Sequence, residues 1–355
     1  MSNNFNTIFE RLPGLKVHPR APLFETPTPL EDLENLGKDL GIELTIKRDD
    51  CLPLAMGGNK IRQLEYYFGQ AIQQGAGTVL ITGAVQSNFV RLCAAGARKF
   101  GMTSICQLER RVLKDDVFYN TSGNVLLLNL LGAEIVNFSR GENEAAADAN
   151  LDKIAKKKRS KGYNPYVIHL GLNHPPIGGL GYAAAAVETL IQYNNRGDLP
   201  DCVVMPSGSG LTHAGFLAGA RAMGWDVPVL GICVRREAEL QRQRIHKRAI
   251  EVAAMLTDKS VISEADIWLD DDSLAPGYGQ MNEQVSEAIL LAATTEALLL
   301  DPVYCGRTLA GLIRNVRKGS IEAGAKVLTF HTGGHPGIFA YQNDLLSLSE
   351  TGGYN

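Results

Sequence analysis

The chain has 355 residues, 45% of them hydrophobic and 21% charged, which suits one large globular α/β unit or two domains with separate cores. Its 35 basic residues nearly balance 38 acidic ones, for a formal charge of −3, and this argues against the concentrated basic face of a nucleic-acid binder. Six scattered cysteines without a C-x-x-C pair point to reduced thiols, neither a disulfide framework nor a metal site.

The N-terminal "MSNNFNTIFERLPG" lacks the charged start and apolar core of a secretory signal, and no apolar stretch reaches membrane-spanning length. A cytoplasmic protein without membrane contact is expected. "LAMGG" (54–58) is then followed by Asn59, Lys60 and an apolar periodic run, so Lys60 is expected in the first turn of a helix. A cation is mildly disfavoured there, because the helix N-terminus already carries partial positive charge. Its placement asks for a chemical reason.

From Thr78 onward, short apolar runs alternate with amphipathic ones. "TVLIT" (78–82) reads as a strand, and "SNFVRLCAAGARKFG" as a helix with Val90, Cys93, Ala94, Ala97 and Phe100 on one face. "TSICQL", "GNVLLLNLLG" and "AEIVNF" follow, then a helical segment near 143–160 and "YVIHL" (166–170). The basic run "KKKRSK" (156–161) closes that helical pattern as a solvated face. In the second half "CVVMP" leads into "LTHAGFLAGARAMG", "VPVLGICV" into a helical 236–256, and "KVLTFH" into "PGIFAYQNDLL". Such alternation implies parallel sheets covered by helices. Pro- and Gly-rich "LAMGG" and "NHPPIGGLG" (173–181) bracket a smaller α/β domain, 56–174, inserted into a larger one built from 1–55 plus 175–355.

Three loops carry candidate chemistry. In "MPSGSGLTHAG" (205–215) a strand runs into Ser207, Gly208, Ser209 and Gly210, and a helix begins near Leu211 with Thr212 close behind. Free backbone N–H groups, a helix dipole and three hydroxyls make a phosphate site. His213 stands where the dinucleotide fingerprint needs its third glycine, and no G-x-x-x-x-G-K-[ST] occurs, so a monophosphate cofactor is indicated. "TGAVQSNFVR" (82–91) sets Gln86, Ser87 and Asn88 at another strand–helix turn, where hydroxyl and amides suit a carboxylate; Ser87 also reads as a plain N-cap. "FHTGGHPG" (330–337) ends the last strong strand with Thr332 and two glycines, and Tyr278 and Tyr304 stand in "APGYGQ" and "LLLDPVYCG". A lysine partly withdrawn from water at a positive helix end has a lowered pKa, and a neutral amine forms a Schiff base with an aldehyde. Pyridoxal 5′-phosphate joins an aldehyde to one phosphate.

"GGNK", "QSN-x-VR", "SGS-x-x-THAG", "APGYG", "LLLDPVY" and "HTGG-x-P" followed by "FAY" occur here in the order in which they occur in D-cysteine desulfhydrases, a group that includes 1-aminocyclopropane-1-carboxylate deaminases and an L-cysteate sulfo-lyase. The chain resembles that family from about Leu12 to Tyr341. The resemblance implies a two-domain fold-type-II pyridoxal-phosphate enzyme, like the tryptophan synthase β subunit and usually a homodimer. It implies that Lys60 is the Schiff-base lysine and moves the proton at the substrate α-carbon. Asn88 would bond the cofactor's phenolic oxygen, and Ser87 with Asn88 would hold the substrate carboxylate. Ser207, Gly208, Ser209, Gly210, Leu211 and Thr212 would cradle the phosphate, Tyr278 and Tyr304 would face the substrate, and Thr332 would lie near the pyridine nitrogen.

The chain departs from that pattern at four positions. Phe89 replaces a histidine in the expected substrate pocket, Gln63 replaces a lysine that helps with phosphate, and His335 is an added group near the site. Cys305 stands where desulfhydrases carry threonine and the deaminases a glutamate that pairs with the pyridine nitrogen. The leading expectation is α,β-elimination from a small amino acid, D-cysteine to pyruvate, sulfide and ammonia. The alternatives are a deaminase or sulfo-lyase and, of another class, a non-catalytic pyridoxal-phosphate-binding protein.

Overall fold

The computed structural model describes residues 3–351, apart from 142, 258 and 260. Ten strands occur among the described residues: β1 (Leu30–Asp32), β2 (Glu43–Arg48), β3 (Thr78–Ala84), β4 (Thr103–Glu109), β5 (Glu134–Phe138), β6 (Pro165–Ile168), β7 (Cys202–Ser207), β8 (Val229–Cys233), β9 (Trp268–Asp270) and β10 (Lys326–His331). They form two sheets, one ordered β1-β2-β10-β7-β8-β9 and one ordered β5-β4-β3-β6. Only β1 pairs antiparallel, with β2; every other pairing is parallel. The continuous apolar runs follow from this, because helices cover both faces of a parallel sheet. All of β3, β7 and β8 is buried.

The helices Lys60–Gln73, Asn88–Lys99 and Leu211–Ala222 start directly after the three motif loops. The apolar run "GNVLLLNLLG" is a helix, Gly123–Leu130, not a strand. The helix Gly179–Arg196 begins inside the stretch whose Pro and Gly content reads as a boundary. The helix Leu211–Ala222 lies close against it: a Cβ on Gly215 or Gly219 would strike the backbone at Gly179 or Ala183, so the two helices pack backbone to backbone. β1, β2, β9 and the helices Glu283–Glu296 and Cys305–Arg317 complete the larger layer.

Beneath the loops lies a buried ion network. Lys47 Nζ donates to Glu188 Oε1 at 2.5 Å, and the Arg62 guanidinium donates to Asp49 and Glu188 at 2.9 to 3.1 Å. Tyr182 Oη donates to Asp49 Oδ2 at 2.6 Å. None of these four charged side chains is more than 2% exposed. The network ties β2 and the helix Gly179–Arg196 to the helix that carries Lys60. Among the described residues, no helix is long and apolar enough to cross a membrane.

Candidate active site

Four segments converge where β2, β3, β7 and β10 end, at the carboxyl edges of the strands, where open parallel sheets bind ligands. The chain from Ala55 to Gly58 keeps positive φ at four successive residues (42°, 65°, 66° and 124°) before the helix begins. Such backbone is strained at Ala55 and Met56, and neighbouring groups hold it. Arg91 Nη1 donates to the Ala55 carbonyl at 2.6 Å and Nη2 to that of Gly57 at 3.0 Å. The Asn59 N–H donates to the Thr332 carbonyl at 3.0 Å. The segments that carry Arg91 and Thr332 thus lock the one that leads into Lys60.

They bound a cleft whose wall includes Lys60, Ser87, Asn88, Tyr278, Tyr304 and Thr332. Phe89, Gly208, Ser209, Gly210 and Thr212 line it too. Lys60 is half-buried, and loss of water around its amine pulls it from an ordinary 10.5 down to about 8. Its Nζ donates to Thr212 Oγ1 at 3.2 Å and lies 5.9 Å from the centre of the Phe89 ring. Asn59, at the helix start, makes no side-chain cap; its Nδ2 reaches Thr212 Oγ1 at 2.9 Å instead. Gln63 Nε2 donates to the same oxygen at 3.0 Å. A hydroxyl has two lone pairs, so three donors exceed its accepting capacity, and its own hydrogen is left to donate elsewhere.

The phosphate-type loop is oriented from behind. Arg236 Nη1 and Gln241 Nε2 each donate to the Gly208 carbonyl at 3.1 Å, and Arg244 Nε donates to the Ser209 carbonyl at 2.7 Å. With those carbonyls engaged, N–H groups of the loop and the start of helix Leu211–Ala222 are available to an anion. Ser207 differs from expectation. It is fully buried, and its Oγ meets His213 Nδ1 at 3.1 Å and accepts from Gln241 Nε2 at 2.9 Å, so it braces the loop from below. Leu211 is likewise absent from the cavity wall.

Ser87 is both an N-cap, accepting from the Val90 N–H at 3.3 Å, and a wall residue. Asn88 Oδ1 accepts from Asn124 Nδ2 at 3.0 Å, which turns the Asn88 amide N–H₂ toward the cavity. Tyr278 Oη and Tyr304 Oη are 2.9 Å apart. Cys305 Sγ lies behind the wall, 3.3 Å from Thr332 Oγ1, and burial pushes its thiol well up. His335 is not in the wall; its ring centre is 4.9 Å from that of His331.

Three charged wall residues carry no motif signal: Arg111, Glu144 and Arg235. Arg111 donates through Nε and Nη2 to Glu109 at 3.0 and 2.8 Å. Glu144 meets Arg235, Arg236 and Arg244 at 2.6, 2.5 and 3.1 Å. Burial would raise its carboxyl, but Arg244, Arg236 and Arg235 together hold it at about 2. These side chains come from segments more than a hundred residues apart, so spacing along the chain does not reveal them.

A half-buried amine of lowered pKa, an anion cradle and amide donors between them define a site for an aldehyde-bearing phosphate, and pyridoxal phosphate fits that donor set. Residues 21–333 match the family described as pyridoxal-phosphate dependent enzyme, and the chain belongs to it. It is 40% identical over 323 residues, 91% of this chain and 96% of the relative, to D-cysteine desulfhydrase from Salmonella choleraesuis (strain SC-B67). The D-cysteine desulfhydrase of Salmonella typhi is 39% identical over the same shares. A solved ACC deaminase homologue superposes with a TM-score of 0.84 at 34% identity, covering 96% of this chain and 99% of that one. Threonine deaminase isoform 2 from Solanum lycopersicum shares the fold alone, with a TM-score of 0.64 at 16% identity over 98% and 89% of the two chains.

Proposed function

We propose that this chain is a carbon–sulfur lyase that converts D-cysteine and water to pyruvate, hydrogen sulfide and ammonia. The observation that carries the reading is Lys60: a half-buried, desolvated amine at about 8, without an acidic partner among the described residues, in the wall of a cleft with hydroxyls and amides around it. The similarity to D-cysteine desulfhydrases over nine-tenths of the chain supports the choice of substrate.

Bound at this site, pyridoxal phosphate supplies the electron sink that lowers the energy of a carbanion at the substrate α-carbon. Lys60 holds the cofactor through Nζ and, once released from it, takes the α-proton. Its neutral form is accessible near neutral pH because burial disfavours the cation. Gly208, Ser209, Gly210 and Thr212 hold the phosphate, with the Thr212 hydroxyl hydrogen free to donate. Gln63 stands in for a lysine as a neutral donor that fixes Thr212. Asn88 would donate to the phenolic oxygen, Ser87 and Asn88 would hold the substrate carboxylate, and Thr332 would border the pyridine end. Tyr278 and Tyr304, bonded to each other, face the β-carbon, with the Arg111 cation in the same wall to receive an anionic leaving group.

A division into 1–55 plus 175–355 and 56–174 is supported by the two separate sheets. A cytoplasmic location is supported by six free cysteines. A homodimer is supported by exposed apolar side chains, Val117, Leu126, Leu130 and Phe339, on short helices that pack together. The test is a screen of the purified protein against D- and L-amino acids with β leaving groups, measuring keto acid and released anion together. Turnover of D-cysteine with one sulfide per pyruvate supports the assignment; faster ring opening of 1-aminocyclopropane-1-carboxylate overturns it.

A further inference from the structure

We propose that Asp50, His331 and His335 form a binding site for one divalent transition-metal ion of the zinc class, outside the cofactor cleft. Their ligand atoms all lie within 4.8 Å of one another. Asp50 follows β2, His331 ends β10, and His335 opens the short helix His335–Ala340 after a two-glycine turn. Two nitrogens and a carboxylate oxygen are the donor set of three-ligand zinc sites, whose fourth position takes water or another ligand. Cys51, the exposed neighbour, has Sγ 4.0 Å from Asp50 Oδ2 but lies outside the three-ligand group, so water is the fourth ligand of the proposed site.

The hydrogen bonds prepare the ligands. His331 Nε2 lies 3.1 Å from the Leu299 carbonyl, which only accepts, so Nε2 carries the hydrogen. Nδ1 accepts from the Gly333 N–H at a long 3.2 Å, has Cys305 Sγ at 3.7 Å and lies 3.8 Å from Asp50 Oδ1, so a metal ion would take its lone pair from the Gly333 N–H. Two ligands about 2.1 Å from a zinc ion stand about 3.5 Å apart at the tetrahedral angle, so closure brings the Nδ1–Oδ1 pair together by a few tenths of an ångström and any pair at the 4.8 Å limit by about 1.3 Å. An outer partner fixing the tautomer of a ligating histidine is the usual arrangement.

The Asp50 carboxylate is likewise oriented, by Arg48 Nε and Nη2 at 2.9 and 2.8 Å. Arg48 is itself paired with Glu31, so Glu31, Arg48 and Asp50 sum to one negative charge beside two neutral imidazoles. His335 is half-buried while Asp50 and His331 are buried, which leaves His335 and Cys51 as the entry side. An ion there ties the segment after β2 to the turn that carries Thr332. This gives a chemical role to a histidine that the cleft does not use.

The experiment is a titration of chelator-treated holoenzyme with Zn²⁺ alone, against a chromophoric competitor, and with Co²⁺ for its ligand-field spectrum. The variants are His335→Ala and, as a control histidine elsewhere, His169→Ala. We expect one ion per chain, a tetrahedral Co²⁺ spectrum, and affinity lowered at least about 100-fold in His335→Ala but unchanged in His169→Ala. Equal visible cofactor absorbance in all three proteins shows that any loss is local. Absence of stoichiometric binding, or equal affinity in His335→Ala, overturns the site.

Discussion

Gly210 offers a direct test of how the phosphate loop works. It caps the helix Leu211–Ala222 at φ 100° and ψ −23°, a conformation that L-residues rarely adopt. A Cβ there would sit 3.2 Å from Ile245 Cδ1, so crowding is slight and backbone strain dominates the effect of Gly210→Ala. Left-handed backbone costs an L-residue about 1–2 kcal/mol, and the stiffer unfolded chain returns about 0.4–1 kcal/mol. The net is about 1 kcal/mol with native φ kept, approaching 2 with this off-centre ψ, or roughly 5- to 30-fold in an equilibrium. If the loop relaxes to relieve that strain, its N–H groups turn from the phosphate. Pyridoxal-phosphate affinity should then fall by that factor, measured by equilibrium titration of apoenzyme and by the gap between holo and apo Tm. Gly224, at φ 72° just past the other end of the same helix, meets nothing within 4 Å and is the control. Gly224→Ala should lower Tm by a similar strain energy and leave cofactor affinity unchanged. Equal cofactor affinity in Gly210→Ala and wild type would refute the cradle.

Cofactor uptake by the apoenzyme requires neutral Lys60, so its rate should rise about tenfold per pH unit below about 8 and level off above, as stopped-flow absorbance reads; a flat profile excludes the amine as the titrating group. Borohydride should fix a pyridoxyl group on the Lys60 peptide, and Lys60→Ala should leave none. Arg62→Met leaves Asp49 and Glu188 facing each other in the interior and should cost about 3–5 kcal/mol in urea unfolding; a loss below about 1 kcal/mol would show the network to be dispensable. Tyr278→Phe and Tyr304→Phe should each lower kcat/KM for D-cysteine with the cofactor still bound, and the double variant should lose less than the sum, because one hydrogen bond joins the pair.

The parallel α/β architecture and the three loops were legible in the sequence because both are local. Apolar runs such as "TVLIT" report burial on two faces, and Ser207 to Thr212 and Gln86 to Asn88 are contiguous strand-to-helix turns. Lys60 was legible for the same reason, as a cation misplaced at a helix start. "GNVLLLNLLG" was ambiguous because a short buried run looks alike as helix or strand. The direction of individual side chains was decided only in three dimensions. Ser207 turns down to His213 and Gln241, and His335 turns to His331 and Asp50, because partners from distant segments claim them. Arg111, Glu144 and Arg235 entered the wall, and Asn124 came to orient Asn88, through packing across more than 30 residues of chain. Residue types and their local order set which chemistry was available; the long-range contacts of the folded chain set which atoms face the cleft.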